Sequence, residues 1–315
     1  MKKLLLILPT SWSNRTIDEL AGLSRFLPSS LYVTTCFSHT YLEKGSLSQF
    51  DIIWVLGHAI HYEKLNQLIQ KYPKSRFIVS NHDSLVAGLM SKSLFKLKHY
   101  KCEKLSQTSP DIVSNALNTE VSLCPKYVSI PSFDLKNTTK ASGKVLIAGR
   151  PLITKNLYTS ITAALLSSKS TSITIVSPTL PPSLLNIKEE EKNERIHLIK
   201  KKLPRPLFLD VIEQHDIVLQ LTTTESLNRI GLESMLRGKP VIGCSITYLP
   251  RCWKVNPHSP RKIARKIDAI LSDYEKHSKL ARQLGLETAR KLNQQFFAFV
   301  KRLIPDEKQY TISMI

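Results

Sequence analysis

Apolar positions along the chain gather into short unbroken runs: KLLLIL (3–8), SLYVTTCF (30–37), DIIWVLG (51–57), RFIVS (76–80), KVLIAG (144–149), SITIVS (172–177), DIVLQL (216–221) and PVIGC (240–244). Runs without a strict polar alternation fit strands buried on both faces of a parallel sheet. Helical patterns fill the intervals, over 15–26, 60–72, 83–106, 155–168, 205–214, 226–237 and 260–302. Alternation of strand and helix predicts βαβ units and doubly wound sheets.

The pattern runs down and restarts. PSFDLKNTTKASG (131–143) is polar, turn-rich and poor in large apolar residues, so it reads as a linker. The expected architecture is α/β, with two Rossmann-like domains over 1–140 and 141–315. LPPSLLNIKEEEKNERIHLIKKK (180–202) reads as a charged loop with a strand at 195–199. In the last helix Phe296, Phe297 and Phe299 are expected to face the core rather than form a binding stripe.

Composition agrees with this picture and adds a charge. A chain of 315 residues with 42% hydrophobic content has room for two domains and material for their cores. MKKLLLIL resembles the start of a signal peptide, but its apolar run is short and no small-residue cleavage site follows, so a first strand is expected. No stretch approaches the ~18–20 apolar residues of a membrane span. Cys36, Cys102, Cys124, Cys244 and Cys252 are odd in number and lack close pairs, as in a reduced cytoplasmic protein. The net charge is +20; residues 1–140 carry 17 basic and 10 acidic residues, and residues 141–315 carry 28 and 15. This points to a polyanionic neighbour: nucleic acid, an anionic membrane face or a phosphorylated substrate.

Candidate chemistry concentrates in TTTESLNRIGLESMLRGKPVIG (222–243). The threonines and serine suit a turn and a helix N-cap, and Leu227, Ile230, Leu232 and Met235 give the helix an apolar side. Glu225 is expected at the helix mouth. Glu233 would follow about 12 Å along the axis and within about 80° around it, so both carboxylates would face one crevice.

Glu225, Glu233 and GKPVIG (238–243) resemble, in order and spacing, the signature of the retaining family-4 glycosyltransferases of GT-B fold (glycosyl transferases group 1). LIAGRPLITKN (146–156) is similar to the family's Gly-Arg-x-x-x-x-Lys loop, and FIVSNHDSL (77–85) ends where the family often has a histidine. The resemblance implies two Rossmann-like domains with parallel sheets facing a central cleft, and a final helix, 289–303, that crosses back onto the first. The first domain would serve the acceptor and the second the nucleotide sugar. By the same resemblance Glu225 grips the donor sugar and Glu233 the ribose. Arg150 and Lys155, after Gly149, meet the diphosphate, and His82 hydrogen-bonds a sugar hydroxyl or caps a helix. Ser226, Asn228 and Arg229 fall within the implied donor site. The family is generally metal-independent, so the resemblance implies no metal and no cofactor beyond a donor such as a UDP- or GDP-sugar.

Three segments depart from the family pattern: PTSWSNRT (9–16) lacks the usual Gly-Gly, Leu227-Asn228 replaces Phe-Gly or Phe-Pro, and ITYLPR (246–251) replaces Gly-Gly-x-Pro-Glu. No Asp-x-Asp, dinucleotide fingerprint, Walker loop or Gly-x-Ser-x-Gly elbow occurs. The expected protein is a cytoplasmic transferase, peripheral at most, acting on an envelope glycan or lipid-linked acceptor. Its basic segment 260–284 would rest on anionic headgroups. Glycosylation of modified bases in DNA and non-catalytic nucleotide-sugar binding are the alternatives; the oligomeric state is not legible.

Overall fold

The computed structural model describes residues 2–8, 31–37, 47–56, 59–81, 93–106, 110–123, 128, 130–131, 140–149, 153–177, 195–201, 203–223, 227–244 and 246–303. The chain divides into two compact units, one of Met1–Ser129 with Lys291–Ile315 and one of Ile130–Arg290.

Among the described residues the first unit holds six parallel strands, β1 (Lys2–Leu8), β2 (Leu31–Phe37), β3 (Ile52–Leu56), β4 (Arg76–Asn81), β5 (Glu103–Ser106) and β6 (Ser122–Leu123), in the order β2-β1-β3-β4-β5-β6. The run KLLLIL is thus a central strand, and Leu4 to Ile7 are all buried. Helices α1 (Tyr62–Lys71) and α2 (Pro110–Leu117) lie between strands. Over 83–106, where one helical segment is expected, the described residues form a helical turn at Ser93–Lys96, a tighter turn at Leu97–His99 and then β5. The sequence EKLS offers no apolar run; its neighbours β4 and β6 make it a strand by pairing with it.

The second unit holds β7 (Lys144–Ala148), β8 (Ser172–Val176), β9 (Ile196–Ile199), β10 (Ile217–Gln220) and β11 (Val241–Gly243), all parallel, in the order β11-β10-β7-β8-β9. Its helices are α3 (Leu157–Leu166), α4 (Arg205–Glu213), α5 (Arg229–Leu236), α6 (Pro260–Ser272) and the start of α7 (Tyr274–Leu303). The expected helix over 260–302 is therefore two, separated at Asp273. Burying Ile263, Ile267 and Ile270 of α6 beside Ile161 and Ala164 of α3 covers one face of the sheet. Each such side chain stabilises the fold by about 1.5–3 kcal/mol.

Helix α7 contributes to both units. In the second, Gly285 lies against α5: a Cβ there would stand 2.8 Å from Leu236 N and Met235 C. From Lys291 on, the helix belongs to the first unit. There Phe296 and Phe299 are buried and Phe297 half-buried. Phe299 meets Trp54 edge to face at 5.4 Å, and Asn293 bonds both backbone groups of Val128.

Candidate functional site

In the second sheet the chain steps outward from β7 through β8 to β9, then returns to the other side of β7 for β10 and β11. The order of strands reverses between β7 and β10. In open parallel sheets such a reversal leaves a crevice at the strands' carboxyl ends, where ligands bind. Both conspicuous motifs leave the sheet there, the 149–156 loop from β7 and the 221–228 loop from β10.

The two loops are bonded to each other. Gln220 Nε2 donates to the Ala148 carbonyl at 2.8 Å, and Asn156 Nδ2 to the Leu221 carbonyl at 2.6 Å. Thr223 N donates to Thr154 O at 2.9 Å. Asn156 has a left-handed backbone (φ 48°), which asparagine tolerates better than most residues, and it opens α3. Lys155 is half-buried immediately before that helix start, where the dipole favours an anion. A Cβ on Gly149 would meet nothing within 4 Å, so the backbone is open on that side.

The helix carrying Glu233 begins later than its sequence suggests. Asn228, 4% exposed, is the cap of α5: its Oδ1 accepts from Gly231 N and its Nδ2 donates to Gln220 Oε1 at 3.0 Å. Tyr248 donates its hydroxyl hydrogen to the Asn228 carbonyl. Thr222 and Thr223 are therefore not the cap, and the helix starts only at Arg229. The ideal-helix spacing between the two glutamates therefore does not apply. Leu232 and Met235 are buried, and Leu227 and Ile230 half-buried. Gly238 (φ 67°) closes the helix; its N–H bonds Met235 O and that of Lys239 bonds Ser234 O, a turn that needs a residue without Cβ strain. That accounts for the glycine of GKPVIG.

Glu233 is 5% exposed, not a solvated surface carboxylate. Its Oε1 is paired with Arg205, the first residue of α4. Its Oε2 is buried and has no hydrogen-bond partner. A buried acceptor left unpaired costs about 1–3 kcal/mol. A second ion pair joins the same elements: Arg237 Nε reaches Glu213 Oε1 at 3.1 Å, and Arg237 Nη1 bonds the Glu233 carbonyl at 3.2 Å. Lys239, next along the motif, is buried; burial lowers its pKa, against the pull of Asp216 and Glu213.

Neither a family model nor a curated protein matches the sequence. Solved structures do. HepE from Anabaena in complex with UDP and glucose aligns over 96% of this chain and 100% of its own, with TM-score 0.65 at 14% identity. A UDP-forming α,α-trehalose-phosphate synthase from Burkholderia xenovorans gives TM-score 0.67 at 11% identity over 96% and 99%. The chain has the GT-B fold. TarM from S. aureus shares it at TM-score 0.61 and 14% identity, although the chain spans only about half of TarM's length (54%).

Within this GT-B chain, Gly149, Lys155, Asn228, Arg229 and Glu233 are described, all in the second unit. Asn228 and Glu233 are fixed by the bonds above, and Arg229 is half-buried at the start of α5. His82, Arg150, Glu225 and Ser226 lie outside the described residues. Sequence reasoning missed Arg205, Gln220 and Tyr248. Gln220 carried one signal, a polar residue ending an apolar strand; Arg205 carried none. Among the described residues no three His, Cys, Asp or Glu side chains are grouped to hold a metal ion, and no helix is long and apolar enough to cross a membrane.

Proposed function

We propose that this chain is a metal-independent retaining glycosyltransferase that moves a sugar from a nucleotide-sugar donor to a cell-envelope or lipid-linked glycan. One observation carries the reading: the two loops that resemble donor-binding motifs are bonded to each other where the strand order reverses. The UDP, glucose and UDP-glucose in the HepE complexes support a nucleotide sugar as donor, and a UDP- or GDP-sugar is the class proposed.

In this mechanism Arg150 and Lys155 neutralise the diphosphate, and their charge stabilises it further as it leaves. Glu233 accepts hydrogen bonds from the ribose, and Glu225 from the sugar, with His82 at a sugar hydroxyl. Cation and helix dipole would do for the leaving group what a metal does elsewhere. The second unit is the proposed donor domain and the first the acceptor domain.

Exposed Arg261, Lys262 and Arg265 on α6 support contact with an anionic membrane face. The apolar side of α6 is already buried in the core, so attachment would be by charge alone and weaken steeply with salt.

The test is nucleotide release from a panel of nucleotide sugars without acceptor. The expected result is slow release from one donor, lost in Glu225→Ala and Arg150→Ala. Binding without turnover on any acceptor would mark a non-catalytic binding protein. Neither release nor any thermal shift with the panel would refute the proposal.

A further inference from the structure

Two ion pairs link α4 to the segment 233–237: Arg205 with Glu233 at one end and Glu213 with Arg237 at the other. They differ in what surrounds the carboxylate. The Glu213 side chain is 43% exposed, so solvent reaches its carboxylate. That of Glu233 is 6% exposed, and its second oxygen, Oε2, has no partner. For holding two helices together the Glu213–Arg237 pair is the better built, because a buried charge is stable only when its remaining lone pairs are satisfied. The Arg205–Glu233 pair is built for something else.

Arg205 occupies Oε1, keeps the buried carboxylate opposite a cation, and leaves Oε2 as the acceptor still open. Its side chain is 32% exposed, so it reaches Glu233 from the solvent side. We propose that Arg205 is a positioning residue that aims Glu233 Oε2 at a ribose hydroxyl and makes the site selective for ribonucleotides over their deoxy forms. The proposal rests on the reading of Glu233 as the ribose anchor. It adds that the anchor is aimed by a side chain that the motif does not contain. A guanidinium holds one carboxylate oxygen in a fixed direction, which a lysine does less well.

UDP and GDP are titrated calorimetrically into the full chain, and the tighter of the two is compared with its 2′-deoxy and 3′-deoxy forms. Wild type should favour the ribonucleotide over one deoxy form by roughly 10- to 100-fold, the range of a hydrogen bond to a charged acceptor. Glu233→Gln should lose most of that ratio. Arg205→Met should bring it below about threefold, with Arg205→Lys intermediate. Glu213→Gln should lower thermal stability and leave the ratio alone, which separates aiming from holding the helices. A wild-type ratio in Arg205→Met, with the ratio lost in Glu233→Gln, would overturn the role of Arg205 and leave the proposed function standing. If the ratio survives in Glu233→Gln, or if neither nucleotide binds wild type, the reading of Glu233 fails and this proposal with it. Should Arg205→Met not fold, Arg205→Lys decides, a wild-type ratio overturning the proposal.

Discussion

Asp268 shows how one side chain fastens the second unit. It accepts from Ser167 Oγ at 2.6 Å, Ser168 Oγ at 3.0 Å, Ser168 N at 3.3 Å and Lys169 N at 3.0 Å, and so ties α6 to the turn after α3. Burial raises its pKa, yet the hydrogen bonds to its charged form outweigh that and hold it below the ordinary carboxylate value. Its stabilisation is present above the unfolded carboxylate pKa and is lost as pH falls through the lower folded one. Asp268→Ala should cost about 1–3 kcal/mol, a drop of several degrees in melting temperature; a shift under one degree would refute the assignment. His215 works at higher pH. Burial is the main cause that lowers its pKa, and its ring lies between Thr174 Oγ1 at 2.7 Å and Val211 O at 2.5 Å. Between the folded and unfolded values the unfolded state binds the extra proton. Stability should therefore fall as pH drops below about 6.5, and His215→Gln should remove part of that slope in melting temperature against pH.

Elements were legible where their apolar signal was local. The eight apolar runs are all strands within a residue or two, since burial on both faces of a sheet demands such runs. β5 and β6 were not legible, because pairing with neighbours rather than composition makes them strands. The same divide runs through the site. Glu233 and the glycine of GKPVIG were marked by their motif, but neither the burial of the one nor the left-handed turn at the other was. The later helix start was hidden because Asn228 caps better in context than the threonines before it, with Gln220 and Tyr248 bonded to it. Arg205 was hidden because its partner is distant in sequence. Gly285 belongs at this scale too. Alanine there would gain up to about 1 kcal/mol of helix propensity, but its Cβ would meet α5 backbone that cannot retreat, at a cost of about 1–3 kcal/mol. Gly285→Ala should therefore lower the urea midpoint with an unchanged m-value; a raised midpoint would mean α5 and α7 have slack.

At the scale of the whole molecule, the GT-B fold persists at 11–14% identity because layers and strand order need only apolar patterning. The net charge of +20 has no such role; it bears on partners. In the second unit Arg261, Lys262 and Arg265 of α6 face outward, while Arg237 and Lys239 are buried and Arg205 is half-buried against Glu233. The α6 cations, with other exposed ones such as Lys200, Lys201 and Arg251, are available to a polyanion.

The chain passes from the first unit to the second near residue 130 and returns near residue 290. The unit begun first is thus completed last. During synthesis, all the residues of the second unit have emerged before Phe299 exists to cover Trp54, or Asn293 to bond Val128. Until the final helix arrives, the six-stranded sheet must wait with part of its core uncovered, while its neighbour has every residue it needs to fold.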